Sequence, residues 1–291
     1  MNIGIIGLGV VGGSFAKAIR AHLNPSHKIM AIDIDEKTIE QALSEGIIDY
    51  GETTNQTILQ QADLVIIALY PAALINFMQT NNHLFKKGAI VTETTGIKTD
   101  MIKALKDLIP DTIDFIFGHP MAGRENRGLD YASAEVFQGS NYLITPTENN
   151  QQETINWYAS FVEAIGFKRV TFVTADQHDE MIAYTSQLAH IIAVSLINSD
   201  LENRNTALFI GDSYRDLTRI AKLNEDLWTE LFLANKEELL KAINRFEIKV
   251  QDMKEAITND DRLKMKGYFV ESTQRRLKLE HEDSKFTQDS M

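Results

Sequence analysis

The residue whose type and setting most invite chemistry is His119, in the run Phe117-Gly118-His119-Pro120-Met121-Ala122-Gly123. The apolar stretch 115–117 reads as a strand that ends there, and Gly118, Pro120 and Gly123 punctuate the loop after it. An imidazole on such a ledge is held by turn residues, and its ordinary pKa of about 6.5 lets it take or give a proton near neutral pH. Arg124 and Glu125 add charge in the same loop. The competing reading is a histidine that caps a strand and bonds its neighbours.

A second group lies farther along. His178-Asp179 stands near the start of a long helical pattern, and Ser186 and His190 lie four apart, hence on one helix face. Arg215 and Arg219 are also four apart, a mildly destabilising like-charge spacing unless something anionic lies near them. A guanidinium fork suits a carboxylate, which it binds through two parallel hydrogen bonds. The blander alternatives are a buried polar pair in a helical core and a solvated ion-pair network with Asp212 and Asp216. Histidines 178 and 190 lack zinc-ligand spacing, the chain has no cysteine, and no metal site is expected. Hydride chemistry remains, with a histidine handling a hydroxyl proton and arginines holding carboxylates.

That chemistry needs a hydride acceptor, and the start of the chain supplies its binding signature. Gly7-Leu8-Gly9-Val10-Val11-Gly12 comes directly after a first strand and opens a first helix. The first glycine makes the tight turn, the second lets a pyrophosphate approach the backbone, and the third allows close helix–strand packing. Asp33 ends the second strand, where its carboxylate would accept a ribose hydroxyl and repel a 2′-phosphate. NAD is therefore expected over NADP, with flavin as the other nucleotide reading. Leu69 and Tyr70, just past the strand at 64–68, complete the expected cofactor set.

The elements that must position these residues emerge from hydrophobic patterning. Short apolar strands at 3–6, 29–32, 64–68, 89–92, 115–117, 142–145 and 169–172 alternate with helical periods, which implies a mostly parallel sheet covered on both faces. After about Thr174 the pattern becomes helical, with no proline and only Gly211 and Gly267 between 176 and 279. We expect an α/β Rossmann-like domain over 1–173, an all-α substrate and dimerisation domain over 174–280, and a disordered tail over 281–291.

Composition narrows the partners. The chain has 291 residues, 44% of them hydrophobic and 24% charged, as in a soluble globular protein. A net charge of −12 disfavours nucleic acid, which needs a basic face, but not a small anionic substrate. The first apolar stretch is glycine-broken and lacks a basic leader, and no apolar run approaches the roughly 20 residues that span a bilayer. No membrane partner is expected, and the missing cysteines fit a reducing cytoplasm.

Taken together, these motifs resemble the prephenate dehydrogenase family, across nearly the whole chain to about residue 280. The resemblance rests on Gly7 to Gly12 with Asp33, on Gly118-His119-Pro120-Met121-Ala122-Gly123, on His178-Asp179 with Ser186 to His190, and on Arg215-Asp216-Leu217-Thr218-Arg219-Ile220-Ala221. It implies NAD-dependent oxidative decarboxylation of prephenate to 4-hydroxyphenylpyruvate in tyrosine biosynthesis, by a dimer. It gives His119 the role of accepting a hydrogen bond from the ring hydroxyl, Arg219 that of binding a carboxylate, and His190 that of contacting the substrate side chain or ordering the site. Ser186, Asp179, Asp216 and Glu125 would orient these groups or gate the cleft, and Trp228 would stand near the site; Arg215 is an anion-site candidate by its spacing from Arg219 alone.

The chain also departs from the family pattern. Ser186-Gln187-Leu188-Ala189-His190 stands where members often have Ser-His-Leu-Pro-His. Glu93-Thr94-Thr95-Gly96-Ile97-Lys98 stands for Asp-x-x-Ser-x-Lys, so Gly96 replaces a serine that steadies the histidine in some members. Alternatives are arogenate as substrate, another two-domain nicotinamide enzyme such as a hydroxy-acid dehydrogenase or imine reductase, and a non-catalytic NAD sensor. Against the second, the second-domain helix presents His178 and His190 where such enzymes usually place a lysine.

Overall fold

The computed structural model describes residues 1–123 and 126–288, with side chains to 283 in the last helix. Arg124 and Glu125 lie outside the described residues. Two compact units divide the chain, Met1–Asn235 and Lys236–Met291.

The first unit is built on an eight-stranded sheet. Its strands are β1 (Asn2–Ile6), β2 (Lys28–Ile32), β3 (Tyr50–Glu52), β4 (Leu64–Ile67), β5 (Ile90–Glu93), β6 (Asp114–Pro120), β7 (Asn141–Thr145) and β8 (Arg169–Phe172). They lie in the order β3-β2-β1-β4-β5-β6-β7-β8, all pairs parallel except β6 with β7. Central strands are continuous apolar runs because both faces are covered: Leu64-Val65-Ile66-Ile67 is buried throughout. Crossovers α1 (Val10–His22), α2 (Glu36–Ser44), α3 (Ile58–Gln61), α4 (Pro71–Asn81), α5 (Thr99–Leu105) and α6 (Gln152–Ala164) supply that cover. The order reverses between β1 and β4, and ligands gather outside the carboxyl ends of strands at such a point.

Two features of the sheet differ from the sequence-based expectation. The short edge strand β3 carries Tyr-Gly-Glu, too brief and polar for an apolar pattern to show. Strand β6 runs on through His119 to Pro120, because β7 returns antiparallel and pairs His119 with Leu143. The imidazole therefore projects from a sheet strand and not from a turn. Gly118 makes room for this, since a Cβ there would lie 2.2 Å from the Tyr142 hydroxyl, which itself bonds Tyr158 at 2.8 Å.

The compact unit also extends past the expected boundary at 173/174. It includes α7 (Ala175–Ile182), a π-helical turn Ala183–Gln187, α8 (Leu188–Asn198), α9 (Asp212–Thr218) and α10 (Glu225–Ala234). The stretch Ala175–Asn198 is a 24-residue helix, apolar and long enough by composition to cross a membrane, contrary to the expected lack of such a run. Its buried polar side chains explain a different placement. Asp179 accepts from the Lys98 amide at 2.9 Å, and Gln187 donates to the Leu231 carbonyl at 3.1 Å, which ties the helix to the β5–α5 connection and to α10.

The second unit comprises α11 (Lys236–Thr258) and α12 (Arg262–Gln288). Residues 281–288, expected to be disordered, continue α12. Charged pairs one turn apart support this polar helix, as in Arg275–Glu271 at 2.6 Å and Arg276–Glu280 at 3.0 Å.

Candidate active site

The glycine turn after β1 has the shape a dinucleotide needs. Gly7 adopts φ +87°, and a Cβ on Gly12 would lie 1.9 Å from the Gly7 carbonyl, so the helix can only approach without one. A Cβ on Gly9 would meet nothing within 4 Å, leaving that backbone open to an incoming phosphate. Asp33 accepts from the Leu8 amide at 2.7 Å and the Asp35 amide at 2.9 Å, which locks the turn to the end of β2. Each carboxylate oxygen keeps a lone pair for a ribose hydroxyl. The Leu8 side chain is buried in the core, so this residue serves the turn through its backbone.

A cleft of about 620 Å³ extends from this turn. Gly9, Val10, Val11, Leu69 and Tyr70 line it on the nucleotide side. His119, Ser186, His190, Arg219 and Trp228 line it too, so the fold gathers residues from a sheet strand, a long helix and two later helical segments. Arg127, Lys222 and Asn224 complete its polar wall.

His119 is held from beneath. Its Nδ1 lies 2.9 Å from His178 Nε2, and His178 Nδ1 lies 2.7 Å from Asp179 Oδ1. Asp179 also accepts from the amides of Lys98 at 2.9 Å and Thr99 at 2.8 Å. Burial, the nearby His178 and the Lys98 ammonium hold the His119 pKa well below its ordinary 6.5, so the ring is neutral near pH 7. Burial also lowers His178, opposed by its bond to Asp179. For Asp179 burial works upward, but the bonds from His178 and Thr99 prevail and keep the carboxyl low and ionised.

Gly96, where the family pattern has a serine, stands directly beside the ring. A Cβ there would lie 3.6 Å from His119 Nε2 and Cε1. The glycine thus leaves Nε2 without a side-chain neighbour at that spot, and the steadying contacts come through Nδ1. Below it Lys98, fully buried, sits 2.7 Å from Glu93 Oε1 and donates to the Thr95 carbonyl at 2.6 Å. Burial lowers the Lys98 pKa, and Glu93 opposes that shift.

The opposite wall is built from the middle of the long helix Ala175–Asn198 and from shorter segments after it. The π-helical turn Ala183–Gln187 precedes His190, whose Nδ1 lies 2.8 Å from the Ser186 carbonyl and whose ring lies 3.8 Å from that of Trp228. Gln187, in place of the family's histidine, is buried and accepts from Asn235 at 2.9 Å. Arg127 donates to Asn224 at 2.8 Å and to Glu225 at 2.7 Å, and Asn224 in turn donates to the Tyr70 hydroxyl.

Of the expected cofactor residues Gly7, Leu8, Gly12 and Asp33 do not line the cleft, and of the expected substrate residues three described ones do not. Asp179 is buried beneath His178. Arg215 is exposed and pairs with Asp212 at 2.6 Å. Asp216 is exposed on α9. The cause at the two later positions is that α9 stops at Thr218 and Arg219 opens a tighter turn, Arg219–Ala221, so the one-face relation of Arg215 and Arg219 is broken. Glu125 falls outside the described residues. Sequence reasoning missed the support of His119 by His178, whose adjacency to Asp179 was the available signal. It also missed Arg127, Lys222 and Asn224, which no spacing connects to the site.

Comparison with known proteins decides the family. Residues 15–171 match the nucleotide-binding domain of prephenate dehydrogenase, and 174–271 match its dimerization domain. The chain belongs to the prephenate dehydrogenase family. A cyclohexadienyl dehydrogenase of Zymomonas mobilis is 31% identical over 96% of each chain. A prephenate dehydrogenase of Bacillus subtilis is 24% identical over 91% of this chain and 72% of its own. The solved Aquifex aeolicus prephenate dehydrogenase, in complex with hydroxyphenyl propionate and NAD+, superposes with a TM-score of 0.87 at 27% identity, over 96% of this chain and 98% of that one. The chain is accordingly an oxidoreductase of the prephenate dehydrogenase family.

Proposed function

We propose that this protein oxidatively decarboxylates prephenate to 4-hydroxyphenylpyruvate with NAD as oxidant, with arogenate the weaker substrate. The observation that carries the reading is the charge of the cleft. Arg127, Arg219 and Lys222 line it, and no carboxylate does among the described residues. Prephenate brings two carboxylates and a keto group, which such a wall favours. Arogenate carries an ammonium in place of the keto group, a cation that the like charges of Arg219 and Lys222 would disfavour.

NAD, when bound, supplies the hydride acceptor, held at the glycine turn and Asp33. His119 accepts the hydrogen bond of the ring C4 hydroxyl at Nε2. As hydride leaves C4 and the C1–carboxylate bond breaks to release carbon dioxide, the C4 oxygen gains carbonyl character and its proton moves toward Nε2. Aromatisation then makes that oxygen a phenol and returns the proton, so no net proton is released. A neutral imidazole suits this exchange, because it can take a proton and give it back. Arg219 would hold a carboxylate, while His190, its ring tilted against that of Trp228, would face the substrate side chain.

The reading includes a dimer and a cytoplasmic location. The dimer is supported by the family's dimerization domain and by exposed apolar residues on the second unit, among them Ile248, Leu263 and Phe269. The cytoplasm suits a cysteine-free chain. The deciding experiment is NAD reduction with prephenate and arogenate side by side. A higher kcat/KM on prephenate is expected. Turnover of arogenate alone would reverse the substrate, and turnover of neither would overturn the reading.

A further inference from the structure

We propose that His178 and Asp179 fix the tautomer of His119, so that its Nε2 faces the cleft as an unprotonated acceptor. Neither residue touches the cleft, and both act as positioning residues. Backbone amides can only donate, and those of Lys98 and Thr99 each give a proton to Asp179, at 2.9 and 2.8 Å. A carboxylate bonded this way stays ionised and can only accept. His178 Nδ1, 2.7 Å from Asp179 Oδ1, must therefore carry the proton.

A neutral imidazole with its proton on Nδ1 has a lone pair on Nε2. His178 Nε2 lies 2.9 Å from His119 Nδ1, so the proton of that contact belongs to His119. With Nδ1 protonated, His119 Nε2 is left as an acceptor, beside Gly96, which offers it no side chain. Each step has one allowed direction because each group has one remaining role. Both rings are held neutral by burial, which keeps the chain of directions intact at neutral pH. Asn235 adds a brace by donating to the Asp179 carbonyl at 2.9 Å, so the helix turn that carries His178 and Asp179 is fixed as well.

The site consequently does not need a side chain at position 96 to aim its base. In the opposite tautomer, Nε2 would carry a proton and face a substrate hydroxyl as a donor, which cannot take up the hydroxyl proton.

The test compares His178→Leu with His178→Gln in the full-length protein. Leucine offers His119 Nδ1 no acceptor. Glutamine places an amide oxygen near the former Nε2 position, with its NH2 drawn to Asp179. For His178→Leu we expect kcat on prephenate to fall on the order of 10²-fold, with KM and NAD affinity within about threefold of the parent. His178→Gln should recover most of that loss. In parallel, 15N-histidine NMR of the parent should show His119 protonated at Nδ1 and bare at Nε2, with the order reversed in His178→Leu.

A parent His119 protonated at Nε2 would overturn the proposal, as would an unchanged kcat in His178→Leu. So would a glutamine variant no better than leucine, which would show that the histidine only fills space. The kinetic arm rests on the proposed function, whereas the NMR arm does not. If the parent turned over neither substrate, the NMR result would still decide the tautomer.

Discussion

The two walls of the cleft are made in opposite ways. Behind His119 the polar groups are buried and tied to backbone: Glu93, Lys98, His178 and Asp179 are all withdrawn from solvent. On the Arg219 side the charged groups are exposed, carried on short helices and turns, with Arg219 and Lys222 open to water. The contrast reflects what each wall does. A base must keep one protonation state and one direction, which requires low dielectric and groups with no alternative partner. A guanidinium or ammonium near the surface would suit a carboxylate clamp, the role proposed for Arg219.

The largest effect should come from the buried wall. His119→Asn is expected to lower turnover by roughly 10²- to 10⁴-fold while leaving NAD affinity unchanged, measured by steady-state kinetics and NAD titration. Loss of NAD affinity in step with turnover would place the residue in folding or cofactor binding. Lys98→Met, which strands the buried Glu93 carboxylate, should cost about 3–5 kcal/mol of stability by chemical denaturation. A near-parental midpoint would show that this wall tolerates an unpaired charge.

Arg219→Ala should act on the other wall, raising KM for prephenate about 10- to 100-fold with a smaller change in kcat, as expected for loss of a charge-assisted bond. A pure kcat effect would place Arg219 with the base and not with the clamp. A gentler probe of the buried wall is pH. Because the folded His119 pKa is lowered, the ring stays neutral as pH falls through 6.5, and the acid limb of kcat should lie below that of an ordinary histidine. The same depression, shared by His178, makes stability full above about pH 6.5 and progressively lost below it, as the unfolded rings take up protons first. An acid limb at or above 6.5 would contradict the buried, neutral ring. The smallest effect is expected at Arg215→Ala, under about 0.5 kcal/mol and with kinetics unchanged, because its partner Asp212 is exposed.

Much of this is legible in the residue order. The glycine turn, Asp33 and the apolar strands announce a nucleotide-binding sheet because period and spacing are local properties. His119, His190, Ser186, Arg219 and Trp228 are all site candidates by sequence, and all line the cleft. One misreading comes from treating helical spacing as if it fixed what a side chain faces. Arg215 and Arg219 are four apart in number, but α9 ends between them. Asp179, which the resemblance gives as orienting site groups or gating the cleft, lies instead beneath His178, where α7 turns it toward the amides that open α5. A third arises from composition: residues 281–288 are apolar-poor and so expected to lack structure, yet pairs such as Arg276–Glu280 sit one turn apart along the same helix.

What the amino-acid order determined alone is the set of parts: a dinucleotide turn, a histidine fit for proton work and arginines fit for carboxylates. Each depends on a few neighbouring residues and on side-chain chemistry that does not change with context. Only the tertiary structure decided which nitrogen of His119 meets His178, which arginines line the cleft and which carboxylate lies beneath it. Those outcomes depend on hydrogen-bond direction and burial between residues as far apart as Lys98 and Asp179. No local pattern encodes such distances, because chain folding sets them and the low dielectric of the interior gives them their consequences.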